Sequence, residues 1–164
     1  MNVRRYSVLL LLCACGAPEQ PNPASGFIAL QRDFASYKTW ESASFDAGVI
    51  DEGVHTAGVR TVYLNQRPEP GATEWPVGTI IVKELPFTTF AMVKRGASYN
   101  AKGAKGWEWF ELFNDTPTTV NIMWRGLGPP LGEMYGKSGQ TCNDCHGPAV
   151  MNDSVMNPIF RLTE

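Results

Sequence analysis

The stretch GTIIVKEL, residues 78–85, alternates apolar and polar side chains as a half-buried β-strand does. On such a strand Ile81, Lys83 and Leu85 share one face, so a lysine lies between two apolar neighbours. In the preceding segment GVRTVYL (58–64), Arg60 likewise shares a face with apolar residues. Charged side chains at such positions either reach water by snorkelling from an edge strand or face a pocket.

Strand patterns continue on both sides of this stretch, with turn signals between them. The further segments are AGVRTVYLN (57–65), TTFAMVKR (88–95), GWEWFELF (106–113) and TVNIMW (119–124). About five strands without intervening helices predict a mainly antiparallel β-sheet. The apolar spacing of residues 27–40 approximates a helical stripe, and the tail from about Glu133 is compatible with helix. The predicted fold class is therefore α+β, with helices at the N- and C-terminal ends of the sheet.

The N-terminus has the features of an export signal. Two arginines precede an apolar run, residues 8–12, which is far shorter than the roughly 20 residues of a membrane-spanning helix. The run ends in LCACG (12–16), which resembles a bacterial lipobox. The small Ala14 favours Cys15 over Cys13 as the lipidated residue, and an ordinary cleaved signal peptide is the alternative.

These features divide the chain into a lipoprotein signal peptide (1–14), a Pro- and Gly-rich flexible tether (15–26) and one folded domain (27–164). The predicted location is the bacterial cell envelope, facing the periplasm, with the lipid holding the protein to a membrane surface. If the lipobox is not used, the protein is secreted to the periplasm. The 14 Lys and Arg residues do not exceed the 16 Asp and Glu residues, so no nucleic-acid surface is expected.

The segment GQTCNDCHGP (139–148) holds the pattern of covalent c-type haem attachment, Cys-x-x-Cys-His, in Cys142, Cys145 and His146. On a helix the positions i, i+3 and i+4 share a face. Both thiols can therefore reach the vinyl groups of one porphyrin, and the imidazole can bind its iron. Export agrees with this chemistry, because such haem is attached outside the cytoplasm.

Zinc and redox-dithiol interpretations of the same motif are weaker. Outside the leader only His55 remains to complete a four-ligand zinc site, and the adjacent ligands Cys145 and His146 suit a tetrahedral geometry poorly. A thioredoxin-like dithiol belongs to a βαβ unit, which the pattern lacks. A disulfide between Cys142 and Cys145 would close a very tight loop. The sequence therefore predicts one covalently attached haem c, with His146 as the iron ligand.

Six blocks in this order resemble the cytochrome P-460 family, which includes the cytochromes c-prime-beta. The blocks are YKTWES (37–42), GVRTVYLN (58–65), PVGTIIVKEL (76–85), FAMVKRG (90–96), GWEWFELF (106–113) and TCNDCHGP (141–148). The resemblance implies a homodimer in which haem packs against the sheet and the iron keeps a vacant site opposite His146. It also implies that Lys83 bonds to the porphyrin edge with Arg60 beside it in the pocket. A lysine that stays unbonded, as in c-prime-beta proteins, is the alternative.

The resemblance further implies an oxidoreductase that acts on hydroxylamine or a related small nitrogen compound and passes electrons to another cytochrome. Lys83 and Arg60 would then be catalytic. Such an oxidation needs a base, and Glu111, on the apolar face of GWEWFELF, is the candidate. A hydrogen-bonded structural glutamate is the alternative for that position.

Two other functions remain open at this point. Without an acid in the site, an apolar wall would favour binding of nitric oxide or carbon monoxide without turnover, and its candidate residues are Phe90, Phe87 and Met92. A sulfur ligand on the iron would instead give a simple electron-transfer cytochrome. The candidate sulfur ligands are Met134, Met151 and Met156.

Overall fold

The computed structural model describes residues 26–46, 58–96, 98–116, 119–130 and 141–162. The predicted signal peptide, the lipidation site Cys15 and all but the last residue of the tether lie outside the described residues. His55, Glu133 and Met134 lie outside them as well. Within the described part, no helix is long and apolar enough to cross a membrane.

One antiparallel sheet of six strands dominates the fold, and its spatial order follows the chain order. The strands are β1 (Glu41–Asp46), β2 (Val59–Leu64), β3 (Ile80–Glu84), β4 (Thr89–Lys94), β5 (Trp107–Asn114) and β6 (Val120–Gly126). The five predicted strands correspond to β2 through β6. The prediction of a mainly antiparallel sheet is therefore confirmed.

β1 is the strand that the sequence pattern does not predict. Its sequence ESASFD has only two apolar residues, Ala43 and Phe45, and both are half-buried while the other four are exposed. It pairs along its whole length with β2, with Glu41 opposite Leu64. An edge strand needs little apolar surface, because one neighbour supplies its hydrogen bonds and much of it faces solvent.

The helical segments of the described residues are shorter than predicted, and none of these segments lies at a chain end. Two 3₁₀ helices, Gln31–Phe34 and Tyr37–Thr39, replace the continuous helix expected over 27–40. Extended backbone at Leu30 (φ −113°, ψ 166°) and a break at Ser36 prevent a longer helix. The prediction of that helix is wrong. After the sheet come an α-helix, α1 (Cys142–His146), and a 3₁₀ helix at Val150–Asn152.

The sheet has an apolar core on each face. On the first face, Phe34 and Tyr37 from the short helices pack against alternate residues of β3, β4 and β5. On the second face, Val155 and Phe160 from the C-terminal segment pack against the other set of strand residues. Because the motif Cys-x-x-Cys-His is part of that C-terminal segment, the fold places it over the second face.

The two charged residues that share faces with apolar neighbours lie on this second face. Val62 is directly opposite Lys83 in the β2–β3 ladder, and cross-strand partners share a face. Arg60, two residues before Val62, is 6% exposed. The alternation of side chains along β2 and β3 therefore correctly predicted that Arg60 and Lys83 each share a face with apolar residues.

On the first face a polar cluster surrounds Glu84. Its carboxylate accepts hydrogen bonds from the hydroxyl groups of Tyr37 and Tyr63, the latter at 2.8 Å, and lies 2.9 Å from Lys38 Nζ. Burial acts to raise the pKa of this carboxyl, but the bonds from Tyr37, Lys38 and Tyr63 together outweigh it and lower the pKa from 4.5. The charged form is thus the one that the fold stabilises.

We expect the free energy of unfolding of the Glu84→Gln variant to depend less on pH in acid than that of the parent protein. A carboxyl whose folded-state pKa is lowered stabilises the fold above its unfolded-state pKa, here 4.5. That contribution is lost as the pH falls through the lower folded-state value. Urea unfolding above and below pH 4.5 measures this, with the exposed Glu69→Gln as control. A parent protein that loses no more stability in acid than Glu84→Gln would contradict the expectation.

Candidate functional site

The motif Cys-x-x-Cys-His forms the short helix α1, as the helical spacing of its ligands requires. Asp144 Oδ2 accepts hydrogen bonds from the Thr141 backbone N–H at 2.6 Å and from Thr141 Oγ1 at 3.0 Å, which fixes the start of the helix. Cys142 and Cys145 are free thiols. The helix presents both thiols and the His146 imidazole to one cavity.

This cavity has a volume of about 500 Å³ and lies between α1 and the second face of the sheet. Small-molecule and cofactor sites commonly have volumes of about 300–1,000 Å³. Arg60 and Lys83 line the same cavity from β2 and β3, so the structure brings together the motif and the two charged strand residues. Most of the remaining wall is apolar, with contributions from Phe45, Val62, Ile81, Phe90, Met92 and Trp109.

A row of side chains crosses the second face from β3 to β6. Lys83 is opposite Phe90, Phe90 is opposite Glu111, and Glu111 is opposite Trp124. Phe90 and Trp124 line the cavity, whereas Glu111 does not. Its Oε2 accepts a hydrogen bond from Trp124 Nε1 at 2.7 Å. The carboxylate is thus linked to the cavity through an indole that forms part of the wall.

Only some of the residues predicted for the apolar wall, and only one of the described candidate sulfur ligands, line the cavity. Phe90 and Met92 line it, but Phe87 is 94% exposed in the β3–β4 turn, so its predicted place in the wall is wrong. Met156 lines the cavity, whereas Met151 is 93% exposed and does not.

The His146 ring is held in one tautomer. Its Nδ1 lies 2.7 Å from the Ser154 backbone oxygen. A carbonyl oxygen only accepts hydrogen bonds, so Nδ1 carries the proton and Nε2 keeps its lone pair. Burial lowers the pKa of His146 to about 4, and the charge of Lys83 acts in the same direction, although the Ser154 bond opposes both. A neutral imidazole with Nδ1 bonded to a carbonyl is the usual form of a metal-binding histidine.

Burial also changes the two neighbouring ionisable groups. Desolvation and the charge of Arg60 lower the pKa of Lys83 to about 7, while Cys142 has a smaller opposite effect. Burial raises the pKa of Cys142 to about 11. At neutral pH a substantial fraction of Lys83 is therefore an uncharged amine, the form that acts as a nucleophile or a base.

Asn143, between the two cysteines, anchors α1 to the rest of the fold. Its Oδ1 accepts hydrogen bonds from Asn100 Nδ2 at 2.7 Å, from the Ala104 backbone N–H at 3.2 Å and from Trp109 Nε1 at 3.0 Å. Its Nδ2 donates to the Leu127 carbonyl at 2.9 Å. The helix is thus tied to β5 and to the loops beside it.

Gly103 packs directly against this anchor, and we expect Gly103→Ala to destabilise the fold by about 1–3 kcal/mol through overpacking. A Cβ at this position would lie 2.6 Å from Asn143 Oδ1 and 2.7 Å from Asn100 Oδ1, and the hydrogen bonds of Asn143 leave it little freedom to move. Gly128→Ala is the control, because its Cβ would meet Thr141 at an ordinary 3.6 Å. Urea unfolding that gave both variants equal stability would contradict the prediction.

The donor set fits a c-type haem. Two free thiols lie at the i and i+3 positions of a helix, a neutral imidazole lies at i+4, and the walls of the shared cavity are largely apolar. Across the described ranges, no cluster of three or more His, Cys, Asp or Glu side chains is placed to hold a metal ion by itself. A haem iron would need only one ligand from this chain, because the porphyrin itself supplies four nitrogen donors.

Sequence reasoning missed Asn143 and Ser154 as parts of the site. Asn143 occupies a position of the motif that any residue can take, and Ser154 contributes only a backbone carbonyl, so neither has a residue-type signal.

Comparison of the chain with protein-family models, with curated proteins and with solved structures finds no match. The function is therefore inferred from the residues of the site and from the resemblance of the six sequence blocks to the cytochrome P-460 family.

Proposed function

We propose that this chain is a monohaem c-type oxidoreductase of the cytochrome P-460 type. It oxidises hydroxylamine or a related small nitrogen compound and passes the electrons to another cytochrome. The observation that carries the proposal is the shared cavity. Cys142, Cys145 and His146 line it from α1, and Lys83 and Arg60 line it from the sheet.

The residues of α1 would hold haem c against the second face of the sheet. Each cysteine would add its S–H across one vinyl group, forming a carbon–sulfur bond to one vinyl carbon and a carbon–hydrogen bond to the other. His146 would bind the iron through Nε2, because its Nδ1–H donates a hydrogen bond to the Ser154 backbone oxygen. When bound, the haem supplies an iron that can take a small nitrogen ligand and accept its electrons.

Arg60 supplies positive charge on the cavity wall, and Lys83 supplies a proton acceptor there while its amine is uncharged. Oxidation of hydroxylamine releases protons and electrons in equal number, so the site needs a base near the substrate. Where Lys83 is not bonded to the porphyrin, its amine, with a pKa lowered to about 7, can take such a proton while it is uncharged. Glu111, the base expected from the sequence, lies outside the cavity lining, and the Trp124 indole only donates to it, so Glu111 would act on the site by orienting that indole. The resemblance implies that the Lys83 nitrogen is bonded to the porphyrin edge, and an uncharged amine is the form that this bond requires.

The sequence features extend the proposal beyond the site. The chain is exported, is anchored through a lipid on Cys15, faces the periplasm and acts as a homodimer next to a redox-partner cytochrome. Release of the protein from membranes only by detergent would support the anchor. Release by mild salt would count against it.

Turnover of hydroxylamine by the haem-loaded protein tests the proposed activity. The assay follows reduction of an artificial electron acceptor and formation of a nitrogen oxide. We expect acceptor reduction that depends on hydroxylamine and stops when the protein is omitted. A haem-loaded protein that reduces no acceptor over a range of hydroxylamine concentrations would contradict the activity.

A second function, binding of nitric oxide or carbon monoxide without turnover, is favoured by one observation. Among the described residues that line the cavity there is no Asp or Glu, and Phe90 and Met92 form part of its wall. An apolar wall suits an uncharged diatomic ligand. Tight binding of carbon monoxide to the reduced protein, together with no turnover of hydroxylamine, would favour this second function over the first.

A further inference from the structure

Two consecutive residues next to the site have left-handed backbone conformations. Asp153 has φ 47° and Ser154 has φ 67°. Few residues other than glycine adopt this region, and a residue held there is strained. Two such residues in succession persist only where the surroundings hold them in place. The position matters here because the carbonyl of Ser154 is the acceptor for His146 Nδ1.

A buried ion pair holds this turn. Lys94 Nζ lies 2.7 Å and 2.6 Å from the two carboxylate oxygens of Asp153, and the Lys94 side chain is only 3% exposed. Glu74 lies 3.7 Å from the same ammonium group. Two further bonds fix Asp153: the Trp75 backbone N–H donates to its Oδ2 at 2.9 Å, and Trp107 Nε1 donates to its carbonyl at 2.8 Å. Both the side chain and the backbone carbonyl of Asp153 are therefore restrained.

A pair of this kind is a poor source of net stability, because the cost of desolvating two charges offsets much of their attraction. Its position supports another role. Lys94 lies on β4, whereas Asp153 lies on the segment after α1, so the pair connects the sheet to the turn beneath the histidine. The pair restrains the residue immediately before the carbonyl that His146 uses.

We propose that Lys94 and Asp153 are positioning residues for His146. Their ion pair fixes the left-handed turn that directs the Ser154 carbonyl at Nδ1, and this bond sets the orientation and the basicity of the ring. The proposal deepens the function proposed above and depends on it, since it assigns His146 as the haem-iron ligand. Trp109, whose ring centroid is 4.7 Å from that of His146, packs against the imidazole as well.

The test compares Asp153→Asn and Lys94→Met with the parent as haem-loaded proteins. Asparagine is close to aspartate in size and tolerates left-handed conformations, so Asp153→Asn removes the ion pair with little change in backbone preference. The readouts are the iron–histidine stretching band of the reduced protein, by resonance Raman spectroscopy, and the reduction potential. We expect the band to broaden and move to lower wavenumber and the potential to rise, because a weaker Nδ1 bond makes the ligand less basic.

Two further variants separate positioning from a general loss of stability. Glu108→Gln breaks another buried pair, in which Arg125 Nη2 lies 2.6 Å from Glu108 Oε2, on the first face of the sheet. We expect it to leave the iron–histidine band in place even where it lowers stability. Lys94→Arg keeps the positive charge, and its band should stay closer to that of the parent than the band of Lys94→Met.

The outcomes distinguish this inference from the proposed function. If the parent holds haem and both Asp153→Asn and Lys94→Met keep its band and its potential, the positioning role is overturned and the function stands. If the parent holds no covalent haem, the proposed function fails. Long-range ¹H–¹⁵N NMR of the His146 ring then still reports the tautomer. A protonated Nδ1 that is unchanged by Asp153→Asn would overturn the positioning role in that case too.

Discussion

Serine in place of both Cys142 and Cys145 is expected to leave the purified protein without thioether-linked haem, and without any covalent haem when Lys83→Met also removes the lysine bond. A hydroxyl group does not form the thioether that joins a thiol to a vinyl carbon, and both thiols face the one cavity. Each single variant should keep one thioether and so keep its haem after denaturation. The measurement is the mass of the denatured polypeptide, together with haem staining after denaturing electrophoresis.

The matched control for this loss is Asp144→Ser. Asp144 is an exposed residue between the two cysteines and lies outside the cavity lining, although it caps α1. We expect this variant to keep covalent haem despite a weaker helix start. Covalent haem that persisted in the Cys142→Ser, Cys145→Ser double variant after Lys83→Met had also removed the proposed lysine bond would show that attachment does not involve this motif.

Lys83→Met is expected to abolish hydroxylamine oxidation while the haem stays attached to the two cysteines. The substitution removes the amine from the cavity wall but keeps a side chain of similar length. Lys83→Arg should fail as well, because a guanidinium group stays protonated and offers no neutral nitrogen. Lys102→Met, at an exposed position, is the control and should retain the activity.

The same variants test the bond between Lys83 and the porphyrin edge. Formation of that bond removes one hydrogen from the nitrogen and one from the ring, so it needs a two-electron oxidant, for which hydrogen peroxide serves in the test. We expect the parent to show a strongly red-shifted Soret band that Lys83→Met lacks. Parent-like turnover in Lys83→Met would contradict the catalytic role of the lysine.

The strands were predictable from the sequence because segments rich in β-branched and aromatic residues alternate with turn signals. Burial has a period of two in β2, whereas β3, β4 and β5 contribute residues to the cores on both faces. The alternation of side chains along β2 and β3 nonetheless predicted the shared side of Arg60 and Lys83. β1 was missed because it has only two apolar residues, and an edge strand that is half exposed needs few. Over 27–40 the apolar spacing predicted a helix, but two residues of that stripe, Ile28 and Leu30, are exposed, whereas Phe34 and Tyr37 are buried.

The chemistry of the site was predictable where it depends on side-chain type. The motif indicated the two thiols and the histidine, and the strand pattern indicated Lys83. The interactions that hold these groups in position were not predictable from the sequence. A backbone carbonyl at Ser154, and an ion pair between residues as distant in the chain as Lys94 and Asp153, become visible only once the sheet and the C-terminal segment are packed together.

The mass of the denatured parent protein, purified from a bacterial host that attaches haem in the periplasm, tests the central claim most directly. We expect a polypeptide heavier by one haem than the processed chain, with the haem on the peptide that contains Cys142, Cys145 and His146, cross-linked to the peptide of Lys83 where the lysine bond has formed. A polypeptide without added haem mass, from cells that attach haem normally to another exported c-type cytochrome, would contradict this claim.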